Sequence, residues 1–357
     1  MDNKPLTRGP GGLWTFPIPG RLFDRIADAI LCFAAIVLLA CAWSGFHFIG
    51  LDGMAQYRNE LAQGHSRAVE YAIGNLNGAL IPFAFACFLV RKRWLMLAAL
   101  CVVSLLYYPA TLTKVSLFVA PFLIFMAVLS KLFEARACVI LSLLLPLIIG
   151  LSAFAGLDWD QRIFSLLNIR LLAIPSISLE HYFAFFSDHP LTAFCQISFL
   201  KHLVSCPYAD QIGVVLANEY HLGNMNASLF ATEGVASVGP MLAPLSALAC
   251  GLVIALGNKV SAGLPPRFVL ISAAIIPHIL LNVPLSTTLL SNGLGVLMLL
   301  WFVTPRDYFS RDVAVAADDQ SLARRVLASP VYFAAFVFHL LCTGLTMLAA
   351  KIAGDPC

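Results

Sequence analysis

The chain is short of charge. Lys, Arg, Asp and Glu make up 11% of its 357 residues, where a soluble domain carries roughly 25%. So few charges cannot coat a globule of this size, but they suffice if lipid covers its middle. Several other patterns are missing. No CxxC or HxxxH spacing exists, so no metal site is expected. There is no repeat of the length that builds solenoids and no low-complexity linker. A net charge of +3 gives no reason to expect nucleic acid as a partner. The N-terminal residues lack a short apolar core with a small-residue cleavage site, so the first apolar run is expected to be retained as a helix.

What the chain has is long apolar runs. Hydrophobic residues are 60% of it and the mean hydropathy is +0.86. The runs are continuous, not alternating, which excludes a β-barrel. The expected class is all-α: one polytopic membrane domain over 1–357, with about nine or more transmembrane helices. A span needs roughly 20 apolar residues. Candidates lie at about 26–49, 71–90, 94–109, 115–132, 137–157, 234–257, 266–283, 285–303 and 327–350. The tight turn Val283-Pro284-Leu285 makes the seventh and eighth a hairpin.

Lys and Arg positions orient the chain. One face collects Arg21, Arg25, Arg91, Lys92, Arg93, Lys131, Arg136, Lys259, Arg306, Arg324 and Arg325. That face is expected to be cytoplasmic, with the N-terminus. The other face takes the 50–70 loop, Lys114 and one long polar stretch, 158–233. In a Gram-negative cell that side is the periplasm, and the membrane is the inner one.

The 158–233 stretch gathers Arg162, Arg170, Glu180, His181, Asp188, His189, Lys201, His202, Asp210, Glu219, His221 and Glu233. Such a gathering in so apolar a chain marks the expected active-site segment. Leu166–Phe186 within it reads as an interfacial or half-inserted helix, because Arg170 and Glu180 would be costly in lipid. Cys195 and Cys206 could form a disulfide if the compartment is oxidising.

Individual residues carry competing readings. Arg162 and Arg170 are two helical turns apart and could share a face. Guanidiniums at a membrane surface suit a phosphate or diphosphate; lipid-headgroup anchoring is the plainer role, and the better one for Arg162. Glu180 or His181 could accept a proton from a hydroxyl nucleophile, with Tyr182 beside them; a polar face toward water is the alternative. Asn224 and Asn226 have the donors and acceptors that sugar hydroxyls require. Glu233 opens the sixth span, where a carboxylate is favoured by the helix dipole. Ordinary capping accounts for part of that pattern. The small residues of the run from Gly223 through Ala227 and Ser228 to Gly234 would let backbone approach a ligand. Glu70, Asn75, Asn77 and Lys114 sit at span ends on the same face, where Glu70 and Lys114 could pair or line one cavity. His278 and Asn282, four apart, are expected to bond to neighbouring helices.

Three stretches resemble a known family. They are Arg170-Leu171-Leu172-Ala173-Ile174-Pro175 leading to His181-Tyr182-Phe183-Ala184-Phe185-Phe186, then Asn224-Met225-Asn226-Ala227 with Thr232-Glu233-Gly234, and the late Leu285-Ser286-Thr287-Thr288-Leu289-Leu290-Ser291-Asn292-Gly293. Their order is similar to that of the Wzy-type polymerases, many-helix enzymes related to the GT-C glycosyltransferases and O-antigen ligases. The resemblance implies transfer of a growing glycan from undecaprenyl diphosphate to a hydroxyl of another lipid-linked repeat unit, with no cofactor, metal or nucleotide sugar. It implies Arg170 at the leaving diphosphate, helped by Arg162 or Lys114, and Glu233 or His181 as base, with Asn226 holding sugar. The implied partners are the lipid-linked donor and acceptor, membrane lipid and a chain-length regulator. Two rivals stand beside it. One is a GT-C transferase using a polyprenyl-phosphate sugar, which would favour Asp52 or Glu60. The other is a lipid or polysaccharide transporter, which would favour charges at mid-membrane and internal symmetry.

Overall fold

The computed structural model describes residues 7–8, 14–15, 20–43, 45–47, 66–156, 164–197, 200, 203–221 and 230–309. Most of them are helical; turns and irregular segments join the helices, and one short antiparallel pairing joins β1 (Thr7–Arg8) to β2 (Trp14–Thr15). Five helical stretches are long and apolar enough to cross a membrane: Leu22–Ala42, Arg67–Val90, Trp94–Thr111, Lys114–Leu132 and Ala135–Ser152. These are the first five expected spans. The ninth, about 327–350, lies outside the described residues.

In chain order the helices are α1 (Gly20–Ala42), α2 (Arg67–Asn75), α3 (Ile81–Val90), α4 (Trp94–Thr111), α5 (Lys114–Leu132) and α6 (Ala135–Gly156). Then come α7 (Ile174–Asp188), α8 (Ile212–Glu219), α9 (Thr232–Val238) and α10 (Pro244–Val260). Last are α11 (Pro266–Ser272), α12 (Ile276–Leu280), α13 (Leu285–Leu290) and α14 (Leu294–Val303).

The expected sixth, seventh and eighth spans are each two helices. The sixth breaks after α9, where Gly239 takes φ +86° and Pro240 follows. Only glycine adopts that backbone without strain, and proline cannot resume the helix. The seventh breaks at Ala273–Ile275, four residues ahead of Pro277, whose ring would strike the carbonyl of Ala273 in a continuous helix. The eighth breaks at Ser291–Gly293, with Gly293 at φ +88°. Because α12 ends at Leu280, Asn282 lies beyond it, and His278 and Asn282 do not share a helix.

Two π-helical segments interrupt the regular pattern. One, Leu76–Leu80, joins α2 to α3, and the other, Ser165–Ala173, runs into α7. Each is followed at once by an Ile-Pro pair, Ile81-Pro82 and Ile174-Pro175. A proline clashes with the carbonyl four residues back in an α-helix, and a wider turn just ahead of it relieves the clash. Such bulges are frequent at functional sites.

The described residues divide into two compact units. The first runs up to Val128 and adds Gly251–Ile279 and the part from Ser286 onward; the second holds Leu129–Cys250 and Leu280–Leu285.

In the first unit α3 is buried on all sides from Ile81 to Phe88, as a central helix must be. Helices α1, α4 and α11 pack around it. Phe83 meets Phe23 and Phe268 edge to face, with centroids 5.9 and 5.5 Å away. Tyr107 donates to the Ala34 carbonyl at 2.6 Å, tying α4 to α1. The outer face of α1 exposes Phe33, Ile36 and Leu39, and Trp43 just past its end is exposed too, a surface that lipid contact would cover. At one end Arg93 pairs with Asp28 at 2.8 Å and Arg91 with Asp24 at 3.5 Å. Arg306 donates to the carbonyls of Ala262 at 3.1 Å, Trp301 at 2.7 Å and Thr304 at 2.8 Å, and to that of Val260, closing the ends of α10 and α14.

The turn between α13 and α14, Ser291–Gly293, presses on the end of α2 and the first π segment. A Cβ on Gly74 would land on the Ser291 carbonyl oxygen, and one on Gly78 on that of Asn292. Gly74 and Gly78 are a small-xxx-small pair of the kind that brings membrane helices close. Here the partner they admit is loop backbone.

Candidate functional site

The second unit carries most of the residues singled out in the sequence. Its scaffold begins with α6 and the π segment Ser165–Ala173, which pack together. Asn168 donates its amide to the Leu147 carbonyl at 2.9 Å. Gly150 makes that approach possible, because a Cβ there would occupy the place of Asn168 Oδ1. Arg170 stands in this segment, two residues past the clamp. Nothing in the sequence marked Asn168, although a polar residue in an apolar run opposite a glycine is a usable signal.

The segment continues as α7, so that 164–188 is one uninterrupted helical stretch. The expectation of a helix over Leu166–Phe186 is met. Along α7, Tyr182, Phe185 and Phe186 turn inward and pack with Ile212 and Leu216 of α8 and Val235 and Ala236 of α9. Tyr182 is 6% exposed, so its ring belongs to this core. Glu180 faces outward and is exposed, while His181 is half-buried.

His181 has a defined geometry. Its Nδ1 lies 2.7 Å from the Ile177 carbonyl. A carbonyl only accepts, so Nδ1 carries a proton and donates in this bond. The ring meets Tyr220, at the end of α8, edge to face at 4.5 Å. Sequence reasoning missed Tyr220, since nothing in Glu219-Tyr220-His221 pointed to a residue 39 positions earlier.

Between α7 and α8 the chain is held by several independent ties. Thr192 donates its backbone N–H to the Ala236 carbonyl at 2.8 Å, and its hydroxyl lies 3.0 Å from that of Ser237. Tyr208 donates to the Pro190 carbonyl at 2.8 Å. Burial raises the Tyr208 phenol above its usual range, which keeps it a donor. Gln196 reaches the Asp210 carbonyl at 3.3 Å. Cys195 and Cys206 are bonded, with Cα atoms 5.3 Å apart. Ala193 and Phe194 take left-handed backbone just before the bridge, at φ 46° and 63°. Each costs of order 1–3 kcal/mol and persists only where surrounding bonds hold it. Replacing both cysteines by serine is therefore expected to cost about 2–4 kcal/mol. It should open the 189–211 segment first, read as new protease cleavage there while α6 stays protected. Unchanged cleavage would show that the bridge is dispensable.

Glu233 lies half-buried in the first turn of α9. The start of that helix is fixed by Phe230, which donates to the Leu280 carbonyl at 3.0 Å. Gly234 does not face open space: a Cβ there would run into Ser246 Cβ and Oγ. Ser246 in turn donates to the carbonyls of Ala243 at 2.6 Å and Ala231 at 3.3 Å. At Gly234 the small residue serves helix packing, while Gly223, Ala227 and Ser228 lie outside the described residues.

Arg162, Asn224 and Asn226 lie outside the described residues, as do Asp52 and Glu60. Glu70 and Lys114 belong to the first unit, both exposed, and no ion pair joins them. Glu70 sits in the first turn of α2, behind the Ser66 cap that accepts from Val69 N–H, a place the helix dipole favours for a carboxylate. The second unit thus brings together Glu180, His181, Tyr182 and Glu233 on α7 and α9, which share one core. Among the described residues no cluster of His, Cys, Asp and Glu has the makings of a metal site. Compared with known proteins, the chain matches no family model, no curated protein and no solved structure.

Proposed function

We propose that the protein is a membrane glycosyltransferase that joins lipid-linked oligosaccharide repeat units, releasing undecaprenyl diphosphate at each transfer, on the periplasmic face of a bacterial inner membrane. The observation that carries this reading is the set His181 Nδ1, Ile177 carbonyl and Tyr220. It fixes Nδ1 as a donor, so that Nε2 is the ring atom left to accept a proton when the ring is neutral, on a helix continuous with the π segment that bears Arg170. A glycosyl transfer onto a hydroxyl needs an acceptor for the hydroxyl proton and positive charge at the departing diphosphate.

In this reading the acceptor hydroxyl attacks the anomeric carbon of the donor glycan. The bond from that carbon to the diphosphate oxygen breaks, and the electron pair leaves on the diphosphate. His181 Nε2 takes the hydroxyl proton; Glu233 is the competing base. Arg170, with Arg162, meets the diphosphate through charge-assisted hydrogen bonds. Glu180 and Glu70 lie toward solvent, and Asn224 and Asn226 supply amides for sugar hydroxyls. The Cys195–Cys206 bridge supports an oxidising compartment for this segment.

The experiment is glycan chain length by gel in cells lacking the protein. Loss of the long ladder, leaving a single lipid-linked repeat, is the expected result. A ladder that persists after deletion removes polymerisation as the function and leaves single-sugar transfer or transport.

A further inference from the structure

A buried polar group stands in the first unit, apart from the residues of the proposed reaction's base. Asn77, in the first π segment, is 4% exposed, and Ser116 and Thr111 are 0% and 6% exposed. Asn77 donates its amide to Ser116 Oγ at 2.9 Å. Ser116 Oγ lies 2.7 Å from Thr113 Oγ1, which lies 3.0 Å from Thr111 Oγ1. Thr111 donates to the Tyr107 carbonyl at 2.7 Å.

The Tyr107 carbonyl only accepts, so it takes the Thr111 proton. Ser116 Oγ also lies 3.5 Å from Thr111 Oγ1, so two arrangements satisfy the row: Ser116 donates to Thr113 and Thr113 to Thr111, or Ser116 donates to Thr111 and Thr113 to Ser116. In both, Ser116 accepts from the Asn77 amide and every hydroxyl proton is committed within the row. Part of the row is ordinary local structure, since Thr111 bonds back within α4 and Thr113 precedes α5. The Asn77 amide is not explained that way. Its Oδ1 is buried and has no hydrogen-bond partner among the described residues, and no hydroxyl of the row has a proton left to give it. A buried acceptor left so is costly.

What fits there must donate to Oδ1 and tolerate the second amide N–H. An anion would face the spare lone pairs of three hydroxyls. A cation would face that N–H, the start of α5 and the neighbouring Lys114. A neutral hydroxyl, which both donates and accepts, meets every condition. We propose that Asn77, Ser116 and Thr113 form a hydroxyl-recognition subsite, entered at half-buried Thr113, whose ligand is a sugar ring of the lipid-linked glycan. This rests on the polymerase reading for the identity of the glycan, and on the hydrogen-bond count for the chemistry.

The test uses the full-length protein, with Thr113 intact, in native membranes. Two radiolabelled photoprobes are compared: undecaprenyl diphosphate carrying one repeat unit with a diazirine on its sugar, and bare undecaprenyl diphosphate with a diazirine on its prenyl chain. Labelling of the peptide that holds Thr113 and Ser116 by the sugar probe, reduced about tenfold by Asn77→Ala, is expected. Equal labelling of that peptide by both probes, or labelling unchanged by Asn77→Ala, overturns the subsite in favour of lipid contact or bound water. In cells, Asn77→Ala and Thr113→Val should shorten the ladder at normal protein level, and Thr113→Ser should restore it. A normal ladder with Thr113→Val likewise overturns the subsite. If deletion of the protein leaves the ladder intact, the polymerase reading fails, and the crosslink still decides whether a sugar binds here.

Discussion

Alanine in place of Arg170 is expected to lower polymer formation by about 10²–10³-fold, the usual loss when one preorganised group at a developing negative charge is removed. The departing diphosphate gains charge as its bond to the sugar breaks. A guanidinium nearby meets two of its oxygens at once. Position 170 is also well placed for rigidity. Its backbone lies in the π segment that Asn168 clamps to α6 through the Leu147 carbonyl. Arg170→Lys keeps the charge and loses the two-pronged geometry, and should recover only part of the activity. Ladder length and the pool of single-repeat lipid are the measurements, with insertion followed by a membrane fraction blot. Full activity in a normally inserted Arg170→Ala protein would remove Arg170 from the chemistry. Loss of the protein from the membrane would instead assign it to insertion, and Arg170→Lys would then be the informative variant.

Gly78→Ala should be the most damaging small substitution in the first unit. The added methyl would meet the Asn292 carbonyl oxygen, with Ile279 Cδ1 at 3.2 Å on another side. A side chain can rotate away from such a clash, but a carbonyl held in a turn cannot. The turn is itself constrained, because Gly293 is at φ +88° with Ala79 Cβ 2.6 Å from where its own Cβ would be. Overpacking of this kind costs typically about 1–3 kcal/mol and occasionally more. Gly74→Ala meets the Ser291 carbonyl oxygen in the same way. Gly251→Ala is the control: nothing lies within 4 Å of its Cβ position in α10. There the substitution should be neutral or stabilising by up to about 1 kcal/mol. Thermal unfolding of the purified protein in detergent reads all three. A Gly78→Ala protein as stable as the wild type would show that the α13–α14 turn and the π segment are not packed as described.

The sequence made the first five spans plain because each is a continuous apolar run with Lys or Arg at an end, and lipid imposes length and composition directly. Leu166–Phe186 was legible as helix for the same reason, and Arg170 and Glu180 marked it as unlike its neighbours. The later runs misled. Composition alone makes 234–257, 266–283 and 285–303 look like whole spans, yet Gly239-Pro240, Pro277 and Gly293 cut them. Those breakers were visible, but membrane helices often tolerate glycine and proline. Whether one ends a helix depends on what can satisfy the freed backbone groups.

Hydropathy, charge placement and the concentration of titratable residues in 158–233 follow from the sequence by itself, since each depends only on residue type and order. Tertiary structure alone decided what the small and polar residues do. It set Gly234 under Ser246, and it laid backbone carbonyls on Gly74 and Gly78. It also buried Tyr182 in a core and gave His181 a proton-bearing Nδ1 next to Tyr220. A glycine is an opening only if nothing fills it, and a histidine is a base only through the atoms around its ring. Both are properties of neighbours far away in the chain, which residue order does not carry.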